Sequence, residues 1–289
     1  MKKLFSIIAS ALLIVSCSDR SKDVDTPFQT GQKVTLCASI ASSNDTANAP
    51  QRVSGRDSNP GSTTGVINLT WDEGDKVLVK VGDKSSVFTL TSGAGTNEGS
   101  FYGEMPGEDS RYDVVYPADY SDDVLAEQTY VENGFGKGLM KLSTKTPGTV
   151  EGGFVMSEDN ALVGLQLMGD GAKVSKIEFT NRANNNTYTL ICPKIELTDA
   201  SVLFYIVVPS GEWAQGFTIT VYDGSGEPIK DFTKKSSSTF AAGKAIVMPV
   251  QPVYQKISAF SVSATQKVTF SPGNLQYHPK NDKWRFALN

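Results

Sequence analysis

The sequence predicts an all-β protein, and three observations carry that prediction. From about residue 33 the chain breaks into many short runs rich in Val, Ile, Thr, Tyr and Phe, several alternating apolar with polar residues. The breaks between them are turn chemistry: DEGD, GDKS, SGAGTNEG, NRANNN and DGSGEP. Helical periodicity is absent outside the first 16 residues. Short strands at such spacing point to antiparallel β-sandwiches, and a chain of 289 residues is long enough for about two domains.

The N-terminus is set apart from the fold. Lys2 and Lys3 precede an apolar run, Leu4 to Val15, of signal-peptide length and too short to span a bilayer comfortably. Ser16 and Cys17 follow, then Ser18 and Asp19. The stretch I-V-S-C resembles a bacterial lipobox, which implies a signal peptide over 1–16 and a diacylated Cys17 as the new N-terminus. More than one acyl chain gives stable membrane attachment. Ser18 after the cysteine points to outer-membrane retention. The polar tail with Asp19, Lys22, Asp23 and Asp25 resembles the export signals of Bacteroidetes surface lipoproteins. Residues 17–31 read as a tether.

A first domain is expected over 32–152. KVTLCASIA (33–41) places Val34, Leu36, Ala38 and Ile40 on one face and Thr35, Cys37 and Ser39 on the other, the pattern of a half-buried strand. A long Ser-, Asn-, Gly- and Pro-rich segment (42–65) reads as a loop, and a loop of that length inside a compact domain is usually functional or disordered. VINLTW, KVLVKV, SVFTLT, GSFYGEM and YDVVYP continue the series of strands. A second domain is expected over 153–252, from ALVGLQL, KVSKIEFT, TYTLIC, VLFYIVVP, GFTITVYD and KAIVMPV. VLFYIVV is apolar on both faces, as in a central strand. Residues 253–289 read as an extra segment, a short β fragment that either packs onto the second domain or belongs to a truncated third domain.

Composition narrows the function. Net charge is −4 and no Lys/Arg cluster stands out, which argues against nucleic acid, whose phosphates need a concentrated basic face. The single histidine, His278, rules out a multi-His zinc site and leaves one residue for any Ser-His-Asp chemistry. No nucleophile elbow, phosphate loop or CxxC motif is present, so no catalytic residue, metal ligand or cofactor is expected. Cys37 and Cys192 are far apart in sequence, and two half-buried free thiols are expected rather than a disulfide.

L-T-W-D-E-G-D-K-V (69–77), FTLTSGAGTNEGSFYGEM (88–105) and YDVVYP, followed by NALVGLQL, KVSKIEFT, LFYIVVPSGE, FTITVYDGSGE and AAGKAIVMPV, resemble Bacteroidetes fimbrillins over roughly 30–252. The ordered set carries the resemblance rather than any one motif. It implies two tandem transthyretin-like β-sandwich domains in an outer-membrane surface lipoprotein. It also implies an assembly route. A trypsin-like surface protease cuts after an arginine beyond the first strand, that strand is lost, and an extended segment of another pilus subunit fills the groove. Here strand 33–41 would be removed. Arg52 (APQRVS) fits better than Arg56 (SGRD), because Val53 follows it and acidic Asp57 follows Arg56.

Other residues carry weaker signals. Trp71 is expected in the core, whereas Trp213, in the predicted loop PSGEWA, is the candidate to stack on a sugar. It supports an alternative role, a monomeric surface glycan-binding lipoprotein for nutrient uptake. Asp72, Glu73 and Asp75, like Asp223 to Glu227, lack a calcium loop's ligand count and read as turns. Adjacent Asp122 and Asp123 cannot face each other across a cleft as glycosidase acids do.

Overall fold

The computed structural model describes residues 27–41, 51–57, 67–121, 123–149 and 152–253, and residues 260–261, 267–268, 275–278 and 283–286. Cys17, most of the tether and Asp122 lie outside the described residues.

All the regular structure described is strand, as expected. The first half holds β1 (Lys33–Ile40), β2 (Gln51–Asp57), β3 (Ile67–Leu69), β4 (Lys76–Val81), β5 (Lys84–Ser92), β6 (Glu98–Glu104), β7 (Arg111–Tyr116), β8 (Glu127–Thr129), β9 (Leu142–Thr144), β10 (Gly148–Thr149) and β11 (Phe154–Glu158). The second half holds β12 (Asn160–Gly169), β13 (Lys173–Asn181), β14 (Thr187–Glu196), β15 (Val202–Pro209), β16 (Gly211–Trp213), β17 (Phe217–Asp223), β18 (Pro228–Lys234), β19 (Ser238–Phe240) and β20 (Ala245–Val253). Beyond them come two short hairpins, β21 (Phe260–Ser261) with β22 (Lys267–Val268), and β23 (Leu275–His278) with β24 (Lys283–Phe286).

The first unit is a sheet that closes on itself. Its order is β7-β4-β5-β6-β1-β11-β9, and β9 pairs back onto β7 through Val115 with Ser143 and Tyr116 with Leu142. Closure removes free edges from those strands. Trp71, Phe88, Phe101, Tyr112 and Phe154 fill the interior.

The second unit has a three-stranded sheet, β15-β12-β20, and a five-stranded sheet, β18-β17-β13-β14-β8. β12 is buried along its first eight residues, the burial expected of a strand covered on both faces. Both units share one arrangement. The first strand lies between an antiparallel partner and a parallel one: β1 between β6 and β11, β12 between β15 and β20.

Two strands fall on the far side of residue 152 from the sheet they join. β8 precedes that point but pairs with β14 of the second unit, and β11 follows it but pairs with β1 and β9 of the first. The Gln128 side chain secures β8, donating to the Val207 carbonyl at 2.7 Å and accepting from the Val207 N–H at 2.9 Å. The segment expected to be a 42–65 loop contains β2, which pairs with β3.

Candidate functional site

The candidate site is the place that β1 occupies. Alternation fixes which face enters the core: Leu36, Ala38 and Ile40 are buried and Val34 is partly buried against the same cluster. One edge of β1 runs antiparallel to β6 from Lys33–Glu104 to Ser39–Glu98. The other runs parallel to β11 from Ala38–Phe154 to Ile40–Met156. Further backbone bonds pin the ends. Gly31 N–H donates to the Met105 carbonyl at 2.9 Å, and Ala41 N–H donates to the Met156 carbonyl at 2.7 Å. Ahead of the strand, Phe28 is buried, its ring 6.0 Å from Tyr112.

The fit around β1 depends on small residues. Ala38 pairs with Gly99, and a Cβ on Gly99 would stand 2.8 Å from the Trp71 ring. Gly153, just before β11, has φ +64, and a Cβ there would lie 2.2 Å from the Cys37 carbonyl oxygen. Trp71 is fully buried, as expected, edge-on to Phe101 at 4.9 Å and to Tyr116 at 5.8 Å.

A buried charge holds the next segment of chain. Asp75 accepts from the Asp72 N–H at 2.7 Å and from the Tyr116 hydroxyl at 3.1 Å, and it pairs with Lys137 at 2.9 Å. Lys137 also donates to the Glu73 carbonyl at 3.1 Å. Burial and the Asp75 carboxylate together push the Tyr116 phenol well above its ordinary range. Asp75 is thus an anchor for the segment that leads into β9, and no group of His, Cys, Asp and Glu able to hold a metal occurs among the described residues. The D-E-G-D stretch gives no sign of the Lys137 contact, which spans the fold.

The other sequence candidates fall as follows. Arg52 and Arg56 both lie in β2. Arg56 pairs with Asn68, whereas Arg52 lies in the irregular stretch between the paired residues Gln51 and Arg56. Asp223 folds its own turn, accepting from Ser225 and from the Glu227 N–H; the Ser225 hydroxyl leads in holding its carboxyl below the usual range. His278 ends β23.

Trp213 is not the exposed stacking residue that its loop context suggested. It is 3% exposed and packs against Phe240 at 4.8 Å, Phe179 at 5.2 Å and Tyr188 at 6.1 Å. The reason is the short β16–β19 pairing, which turns the indole inward.

One thiol is deeper than expected. Cys192 is free and buried, and desolvation pushes its thiol up to about 12. Cys37 lies on the outward face of β1 and is half buried, as expected.

No protein-family model and no curated protein matches the chain. Solved structures similar to it include a candidate cell-adhesion protein from Bacteroides uniformis, at 14% identity over 70% of this chain and 93% of that one, TM-score 0.37. A second candidate cell-adhesion protein, from Bacteroides fragilis, is 10% identical over 88% of this chain and 98% of its own, TM-score 0.39. A fimbrial protein from Bacteroides ovatus is 11% identical over 80% of this chain and 52% of its own, TM-score 0.37. Likeness at this level carries no functional argument, which rests instead on the sequence pattern and the setting of β1.

Proposed function

We propose that the chain is a fimbrillin-type cell-surface lipoprotein, a structural and adhesive pilus subunit rather than an enzyme, in which β1 is a replaceable strand. The observation that carries this reading is the place of β1. It is the first strand of the fold, yet it lies inside the sheet between β6 and β11. Its loss would expose two strand edges and an apolar slot at once, which is the template that strand addition uses. Arg52 follows β1 in a stretch with irregular pairing, where a trypsin-like surface protease could engage it. Lipid on Cys17 would hold the precursor at the outer membrane, and other pilus subunits would supply the incoming strand.

Cleavage alone does not empty the slot. Burying Phe28, Leu36 and Ile40 contributes about 1.5–3 kcal/mol each, roughly 5–9 kcal/mol together, close to the net stability of a whole domain. The nicked chain keeps β1 until another strand displaces it, so assembly is an exchange.

Trypsin treatment of the soluble form beginning at Ser18, with N-termini read by mass spectrometry, tests this reading. A new N-terminus at Val53 together with detergent-resistant multimers is the expected result. Resistance at Arg52, or clean cutting with only monomer left, contradicts it.

A further inference from the structure

A cleft of about 660 Å³ opens beside the turn between β13 and β14, lined by Asp123, Asn184, Asn185, Val124, Pro209 and Trp213 among others. That volume lies within the range of small-molecule sites. The turn is pre-formed. Asn181 Oδ1 accepts from the Ala183 N–H at 2.9 Å, Asn184 Oδ1 accepts from the Asn186 N–H at 3.0 Å, and Asn185 holds φ +60. Beneath it the Trp213 and Tyr188 rings stack at an interplanar angle of 30°. The Asn184 amide NH₂, the Asn185 amide and the Asp123 carboxylate have no hydrogen-bond partner among the described residues, and all three line the cleft.

The lining selects a class of ligand. Its surface is mostly polar, which disfavours a lipid or an apolar peptide. Among the described residues its lining includes no lysine or arginine, so an anion finds no counter-charge there. It offers, among the described residues, one carboxylate, too few for a divalent cation. What remains is a neutral ligand with many hydroxyl groups. Each amide brings two donors and an acceptor, and a carboxylate accepts from two hydroxyls. We propose that this cleft binds a neutral saccharide. Hydroxyls of the sugar donate to Asp123 and accept from Asn184 and Asn185, while its C–H face lies toward Val124 and Pro209. The site does not depend on strand exchange, because every lining residue lies outside β1, and an assembled subunit would still display it.

Saturation-transfer NMR on the full chain from Ser18 tests the proposal, with D-galactose, D-mannose, N-acetyl-D-glucosamine and N-acetyl-D-galactosamine each at ~10 mM, suited to millimolar affinity. At least one sugar is expected to receive saturation. Asp123→Ala and Asn184→Ala, two exposed changes with separate folding checks by circular dichroism, should each weaken that binding about tenfold, the equivalent of about one lost hydrogen bond. No transfer to any of the four sugars overturns the proposal, as does binding that both variants leave unchanged.

Discussion

Glu158 is the last residue of β11, at the joint between the two units, and it is a buried carboxyl. Burial raises its pKa above the usual carboxylate range; its own backbone N–H and the Lys244 and Lys145 ammoniums pull it back, while neighbouring Asp159 pushes it further up. The folded chain therefore holds this proton more tightly than the unfolded chain does. Stability from this group is fully present below the unfolded pKa and is lost as pH rises through the folded one. Glu158→Gln keeps the shape and removes the charge. The expected outcome is a higher melting temperature than wild type at pH 7, with the gap closing on acidification to pH 4; a gap constant with pH contradicts the assignment. Asp75 shows the opposite design. Its buried side chain is matched by partners: the Lys137 ammonium at 2.9 Å and hydrogen bonds from the Asp72 N–H and the Tyr116 hydroxyl.

At the scale of elements, the alternation in KVTLCASI was enough to fix which residues of β1 face inward, and the structure places Leu36, Ala38 and Ile40 there. The small residue at 38 matters because Gly99 and the Trp71 ring lie opposite. Ala38→Leu should overpack that contact and lower the urea-unfolding free energy by about 1–3 kcal/mol; an unchanged midpoint would mean that the register is wrong. Partnership was harder to read than existence. Nothing local shows that β1 runs parallel to β11, more than a hundred residues away, or that β8 crosses to β14, because pairing is decided by long-range packing. β2 escaped notice because QRVSGRD carries little apolar alternation. The burial of Trp213 is hidden for a related reason. PSGEW looks like a loop, and only the pairing with β19 turns the ring into the core.

At the scale of the molecule, the joint between the units is short and closely held. Only Asp159 separates β11 from β12. Its side chain accepts from the Tyr120 hydroxyl at 3.0 Å and the Ser143 hydroxyl at 2.8 Å and pairs with Lys145, while its carbonyl accepts from the Ser210 hydroxyl at 2.8 Å. One contiguous core runs through both units. The central claim is that β1 is held by contacts another strand can replace. The most direct test mixes the trypsin-nicked chain with a fluorescent peptide of residues 33–41 carrying Cys37→Ser, then separates bound from free peptide. Uptake by the nicked chain and none by the intact chain is expected. No uptake by the nicked chain, or equal uptake by both, would contradict the claim.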